Sequence, residues 1–519
     1  MADDEKKDMT EEQPESKGSK AVGKDGKPLE KPTIKAWYAP LMLVLAVAIV
    51  FGGIAIKNRY DRKKAKQLYG KIAYEKDVQK YALALATYPE LVKCPEMEYD
   101  KYFNKDDLFM EEAFDADYNE FVDSRTDLAN LIQKYGKDKA LGAVQQFTGR
   151  SMQRFLVNRN GENKVYSPIN VYLMLGPLAE MTGGNSRQQI LSLADATDVK
   201  DLRERSKALW TRLYAENDIS SDYQLLLGGA AWLNNDSKQN FNKDTLEILK
   251  TDHHASTFAG KMGSSSYNKA LQSWLNSMTG NLLKDSVQGE GFKNGDEFAY
   301  VTTILFEAAW EKPFNEEENE PGVFHAEDGD MNVTYMKKEF LEENYGYYRG
   351  EKFLAAPLPL TRGEVWFILP NEGVAVDELL DDPQVLKILE RNMEMPDMHY
   401  ARVYFSVPKF DFKSEFDLIP ILKDMGVTDI FAAGTADFSP LTKTSIYCTG
   451  AKHAVRFAAD EEKVSAAGYS VMYLSRSGSP APDEELVFTL DRPFLFAVSA
   501  RDINVPLFVG VVERPTEGK

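Results

Sequence analysis

Residues 459–480 read Ala-Asp-Glu-Glu-Lys-Val-Ser-Ala-Ala-Gly-Tyr-Ser-Val-Met-Tyr-Leu-Ser-Arg-Ser-Gly-Ser-Pro. From Val464 to Ser475 there is neither charge nor proline. The β-branched, aromatic and small residues there suit an extended strand. The chain then runs into Arg-Ser-Gly-Ser-Pro-Ala-Pro-Asp, residues 476–483, whose composition marks an exposed, turn-rich loop. A strand-competent segment that ends in a loop open to cleavage has the character of bait. Strand side chains alternate in direction. With Val464 pointing inward, the inward set is Val464, Ala466, Gly468, Ser470, Met472 and Leu474, all small or apolar. The outward set, Ser465, Ala467, Tyr469, Val471 and Tyr473, is tolerable on a sheet face at a protein surface. An inward charge or a proline would block burial or the hydrogen-bond ladder, and neither is present. Val464 to Arg476 would span roughly 43 Å at ~3.3 Å per residue.

The rest of the chain is large enough to use such a strand. It has 519 residues, 43% of them hydrophobic, and a formal net charge of -19. Length allows one large domain with an extension. The acidic balance argues against a nucleic-acid partner, because phosphate neutralisation needs a basic face. Cys94 and Cys448 are far apart and read as two ordinary thiols, so stability must come from packing.

Ala36 to Ile56, AWYAPLMLVLAVAIVFGGIAI, is 21 residues without a charge between Lys35 and Lys57. About 20 apolar residues span a bilayer as a helix, and Trp37 and Tyr38 suit an interfacial aromatic belt. The polar tail before it is too long for a cleavable leader, so the run reads as a single-pass anchor in a lipid bilayer. Six lysines in residues 16–35 face eight Lys or Arg in residues 57–76, which by charge count slightly favours a cytoplasmic body. A long N-terminal tail would then have to cross without a leader, and an extracellular body is the expectation.

Four regions follow. Residues 1–35 are a charged tail with the composition of disorder. Residues 36–56 are the transmembrane helix. Residues 57–137 are a basic collar and a helical acidic spacer. Its block Glu96–Asp123 holds eleven acids against two lysines, but no glycine-turned calcium loop. From about 138 to 519, helical and strand-like stretches alternate irregularly, which fits one α+β domain. Strands are predicted at Gln224–Trp232, Ala299–Trp310, Glu364–Leu369, Arg402–Pro408, Lys452–Phe457, Leu486–Leu490, Phe494–Ser499 and Leu507–Val512. Helices are predicted at Ala140–Val157, Asp377–Arg391 and Phe416–Met425.

Enzyme motifs are missing: there is no G-x-S-x-G elbow, no H-E-x-x-H and no P-loop. The histidines are His253, His254, His325, His399 and His453. The His253–His254 pair lacks nearby cysteines or well-spaced carboxylates for a metal. His453 reads first as a structural histidine and second as a base, with no motif around its nearest serine, Ser445. No catalytic residue, metal or cofactor is expected, and an enzyme would have to rest on His453.

Several segments, in shared order and spacing, resemble the serpin family over about residues 140–516. Tyr166-Ser-Pro-Ile-Asn-Val looks like the start of the family's central helix. Val301-Thr-Thr-Ile-Leu-Phe-Glu-Ala-Ala-Trp-Glu-Lys-Pro-Phe314 looks like its strand ending in Lys-Trp-x-x-Pro-Phe. Val365-Trp-Phe-Ile-Leu-Pro-Asn-Glu-Gly373, Val407-Pro-Lys-Phe, Phe416-Asp-Leu, Leu422-Lys-Asp-Met-Gly-Val-Thr-Asp-Ile-Phe431 and Ala436-Asp-Phe-Ser439 are similar too. So are Leu490-Asp-Arg-Pro-Phe-Leu-Phe496 and Leu507-Phe-Val-Gly-Val-Val-Glu-Arg-Pro515.

The resemblance implies a serpin fold: three β-sheets, surrounding helices and an exposed reactive-centre loop between Glu461 and roughly Asp483. It implies suicide inhibition, in which a protease cuts the loop, forms an acyl-enzyme and is carried off as the loop inserts into the central sheet. Strand insertion and release of stored strain are the general behaviour of serpins. On this reading Glu461, Glu462 and Lys463 are the hinge. A sheet-opening cluster comprises Ser167, Asn170, Thr302, Trp310 and His453. The reactive bond is Arg476–Ser477, for a trypsin-like serine protease. Counting from the hinge gives the alternative Ser477–Gly478, for an elastase-like or subtilisin-like one. Departures from the family pattern are Lys463 where glycine is usual, Val464 for Thr or Ser, the bulky Tyr469, Thr302 for Asn and Asn170 for Ser. Lys463 restricts the hinge and motivates an alternative, a non-inhibitory serpin serving as a membrane-tethered binding or structural module.

Overall fold

The computed structural model describes residues 76–88, 114–115, 118–119, 139–215, 223–281, 283, 291–390, 398–464, 484–500, 503 and 505–516. The charged tail, the predicted span Ala36–Ile56 and the insertion segment beyond Val464 lie outside them. Among the described residues, no helix is long and apolar enough to cross a membrane.

The helices in chain order are α1 (Lys76–Gln79, a single turn), α2 (Lys139–Leu156), α3 (Pro168–Met181), α4 (Gly184–Leu193), α5 (Val199–Ala215), α6 (Lys243–Asp252), α7 (Ser265–Met278), α8 (Pro383–Leu389) and α9 (Leu418–Asp424). Local chemistry sets their starts. The Ser167 hydroxyl accepts from the Asn170 N–H and Pro168 fills the first turn of α3. Asn242 caps α6 and Asp417 caps α9 in the same way. The predicted helix Asp377–Arg391 is instead a 3-10 turn, Val376–Leu379, followed by α8. Pro383 has no N–H to continue the first ladder, and Asp382 caps the second. The predicted Phe416–Met425 starts later, because Phe416 and Asp417 still belong to a strand.

The first sheet has strand order β1-β4-β3-β5-β13-β12-β11. Its members are β1 (Ala82–Ala84), β3 (Tyr223–Asn234), β4 (Ala255–Gly260), β5 (Phe298–Ala309), β11 (Phe410–Asp417), β12 (Lys452–Ala459) and β13 (Lys463–Val464). The second array runs β14-β10-β7-β8-β9-β15-β16-β2, with β6 paired to β7. Its members are β2 (Lys164–Tyr166), β6 (Glu320–Ala326), β7 (Gly329–Arg349), β8 (Phe353–Leu360), β9 (Gly363–Pro370), β10 (Met398–Pro408), β14 (Glu485–Thr489), β15 (Phe494–Ala500) and β16 (Phe508–Val512). Three sheets were expected. Two of them form one hydrogen-bonded array, because the 21-residue β7 pairs with β6, β10 and β8 in turn.

The first sheet divides two apolar layers. Phe306 and Ala308 of β5 face the main core, which also holds α2 and α3. Leu305, Val301 and Ala299 face the other way, into a smaller cluster with Tyr267, Leu271, Trp274 and Met278 of α7. The period-two alternation of β5 thus serves two cores. The face of β5 that bears Ala299, Val301 and Leu305 is thus roofed by α7.

Residues 57–137 were read as helical. Their described part holds α1, then β1, which pairs antiparallel with β4, and helical residues at 114–115 and 118–119. Ala and Leu favour helix weakly, and an available sheet edge outweighs that preference.

Candidate functional site: a gap in the first sheet

β5 and β12 run parallel to each other, and only the two-residue β13 joins them. Lys463 and Val464 pair with Ala309 and Ala308 of β5, while Val464 also pairs with Ala459 of β12. β13 is antiparallel to both neighbours. Beyond it the strands part around a cavity of about 760 Å³. Residues 298–306 of β5 form one wall and residues 451–458, mostly β12, the other. Met174, Leu178 and Met181 of α3 lie on the core side, and Leu271 and Leu275 of α7 on the outer side.

The top of the gap is latched. The Trp310 indole N–H donates to the Asp460 carbonyl at 2.8 Å, and the Phe314 N–H donates to the Glu461 carbonyl at 2.9 Å. Glu461 is 8% exposed. Its carboxylate accepts from the Asn319 amide at 2.5 Å and from the Lys409 ammonium. Burial pushes the Glu461 carboxyl up, yet Lys409 and Asn319 pull harder, and the net shift is downward. The backbone of Lys463 sits within the ladder in an ordinary strand register.

Lower down, the Ser167 N–H donates to Nε2 of His453 at 3.1 Å. Both residues are buried, and burial holds the His453 imidazole down at about 4. Its Nε2 is engaged as an acceptor from the Ser167 N–H, which fits a structural histidine. Asn170, Thr302 and His453 line the same cavity. Trp310 does not join them. It lies eight residues from Thr302 along β5, ~26 Å at 3.3 Å per residue, with the hinge.

Sequence reasoning picked out Glu461 but missed Lys409 and Asn319, which hold it. Lys409 was visible only as part of Val407-Pro-Lys-Phe, with nothing in the sequence to say where its amine reaches. Arg476, Ser477 and Gly478 lie outside the described residues, as do Ala466, Gly468, Ser470, Met472 and Leu474. Among the described residues no group of His, Cys, Asp and Glu could hold a metal ion.

The chain that folds into this parted sheet matches a known family. The model of the serpin family, serine protease inhibitors, covers residues 142–515. This chain belongs to the serpin family. Members of that family are in general protease inhibitors rather than enzymes. Serpin-ZX of Arabidopsis thaliana is 24% identical over 373 residues, spanning 68% of this chain and 92% of the relative. Alpha-1-antiproteinase S of Cavia porcellus is 26% identical over 378 residues, spanning 71% and 88%. The native stressed conformation of the Arabidopsis serpin AtSerpin1 aligns with a TM-score of 0.62 at 19% identity, covering 73% of this chain and 100% of that one. At that identity the structural likeness speaks for the fold.

Proposed function

We propose that this serpin is a suicide inhibitor of a serine protease. A protease cuts the loop at Arg476–Ser477, and the segment beginning at Val464 then fills the gap between β5 and β12. The observation that carries this reading is β13, two residues of the inserting strand already in register.

Continuing that register makes a specific prediction of fit. Lys463 opposite Ala309 and Val464 opposite Ala308 would put Leu474 opposite Phe298, the first residue of β5. The segment chosen from sequence alone therefore has the length of the strand it would join. Val464 opposite Ala459 continues to Ala466 opposite Phe457 and Ser470 opposite His453. On the β5 side Ser470 meets Thr302. The only hydroxyl of the inward set would thus arrive between Thr302 and His453, one on each wall of the cavity, where it can both donate and accept. Met472 and Leu474 would enter an apolar cavity, each worth ~1.5–3 kcal/mol on full burial. New ladder bonds on both sides add to this, so the inserted form is the more stable one and the present form is kinetically held.

The chemistry of an arginine side chain favours a trypsin-like protease, whose pocket carries a carboxylate. The apolar run Ala36–Ile56 would place the domain at a membrane on the extracellular side, tethered to a lipid bilayer through one helix. The test is incubation of the full chain with a panel of serine proteases, read on a denaturing gel. A complex of protease and serpin that survives denaturation is expected. Loop cleavage by every protease without any such complex would turn the assignment to the non-inhibitory tethered module.

A further inference from the structure

The strap of residues 76–88 lies outside residues 142–515, the stretch that the family model matches. It nevertheless joins two parts of the first sheet's surroundings. On one side it grips α7. Val78 is fully buried in the cluster that holds Tyr267, Leu271 and Trp274. The Tyr81 ring lies 4.8 Å from that of Tyr267, its hydroxyl donates to the Ser266 hydroxyl at 3.1 Å, and Asp77 pairs with Lys269 at 2.9 Å. On the other side it is fastened to the sheet edge. β1 pairs with β4, the Ala259 N–H donates to the Tyr81 carbonyl at 2.9 Å, and the Ala86 N–H donates to the Ser256 hydroxyl at 3.0 Å. Further along, the Thr87 N–H donates to the Lys250 carbonyl at 3.2 Å, and Tyr88 stacks on Tyr214 at 5.5 Å.

The gap explains what this fastening controls. Leu271 and Leu275 of α7 line it from the outer side. By the register of β13, the outward residues Tyr469, Val471 and Tyr473 would lie opposite Thr303, Val301 and Ala299 of β5. Val301 and Ala299 pack against the α7 cluster. Two tyrosines and a valine cannot enter beside them unless α7 gives way, since packed layers do not yield continuously. We propose that the strap is a brake on insertion: it clips α7 to β4, the strand that β1 borders at the end of the sheet, so that the loop enters only as fast as the strap lets α7 move. The inference rests on the loop-insertion reading above.

The test uses the full-length chain carrying Val78→Asp, with Tyr81→Phe and Lys269→Met as graded, milder variants that leave the core filled. Two rates are read: hydrogen exchange of the α7 amides, and loss of loop sensitivity to protease when the uncleaved chain is warmed. In Val78→Asp both rise by about tenfold or more, with smaller rises in the milder variants. The share of protease encounters that end in a stable complex holds or increases, because faster insertion beats deacylation. A strap that merely adds stability would lower that share, and this result would overturn the brake. So would α7 exchange or an insertion rate that is unchanged in all three variants. If Val78→Asp fails to fold, the graded pair decides by the same two rates. A wild-type chain that never yields a loop-inserted product, cleaved or warmed, rejects the insertion reading itself and the brake with it; insertion at equal rates rejects the brake alone.

Discussion

The Ser167 N–H donates to Nε2 of His453, joining the start of α3 to β12 across the floor of the first sheet. This bond needs a neutral imidazole with its proton on Nδ1. Burial holds His453 at about 4, and it holds His254 at about 4 as well, against the Thr87 carbonyl that favours its protonated form. An unfolded histidine titrates near 6.5, so between ~6.5 and ~4 the unfolded chain binds more protons than the folded one. Their contribution is complete above about pH 6.5 and is lost as the pH falls through the folded values. The urea midpoint should therefore be flat above about pH 7 and drop below about 6.5. His453→Gln should make the drop shallower; an identical profile in that variant would show that His453 does not titrate with folding.

The Glu461 latch has the opposite dependence on its charge. Its carboxyl is held below the ordinary value, so its contribution is present above the unfolded carboxyl's pKa and is lost as pH falls through the lowered one. Lys409→Met leaves a buried carboxylate with only Asn319, and stability should fall by about 1–3 kcal/mol in urea titration at neutral pH. Thermolysin or a similar protease should also cut more readily near residues 459–464. A variant as stable as the wild type would mean that the pair is solvated and latches nothing.

Ala466 is the sharpest point at which to block insertion. If the register of β13 continues, it would lie opposite Phe306 of β5 and Phe457 of β12, both buried. Ala466→Arg would bury an unpaired guanidinium there, at a cost of several kcal/mol. Loop cleavage should continue, while the denaturation-resistant complex falls by about tenfold or more. Ala466→Val should retain complex formation. Equal yields from the two variants would place the inserted strand in another register.

Ser470 tests the same register from its polar side. Loop cleavage should raise the melting temperature, and in Ser470→Val the rise should be smaller, because Thr302 and His453 lose the hydroxyl between them. A rise of the same size as in the wild type would separate Ser470 from that pair.

The reactive bond can be assigned by mass. Cleavage after Arg476 gives a C-terminal piece that begins at Ser477, and Arg476→Ala should abolish complexes with trypsin-like proteases. A piece that begins at Gly478, with activity kept in Arg476→Ala, would assign the bond to Ser477–Gly478.

Much of this architecture was legible because it is written in local periodicity. β5 and β12 alternate with period two, and the start of α3 is marked by the resemblance of Tyr166-Ser-Pro to the family's central helix. What the sequence hid depends on long side chains and distant edges. Nothing local says that the Lys409 amine reaches Glu461, or that Trp310 turns to the hinge rather than to Thr302. The strap was hidden for another reason. Tyr81-Ala-Leu-Ala-Leu has a helix-tolerant composition, and only the free edge of β4 makes it a strand. The breadth of β7, which fuses two expected sheets, follows from pairing partners that no single window of sequence contains.

The placement of β14, β15 and β16 has a consequence for what remains after a cut. All three follow the loop, and β15 and β16 are buried along their whole lengths in the second array. β14 is held to β10 by a parallel ladder from Glu485 to Thr489. Severing the chain at 476 therefore splits one polypeptide into two without splitting the folded body. On the proposed reading, a molecule cut there without retaining its protease would be a nicked pair of fragments that cannot be rejoined, so each copy would serve once and keep a durable record of its encounter. In a native gel it would migrate as one species, and in a denaturing gel as two.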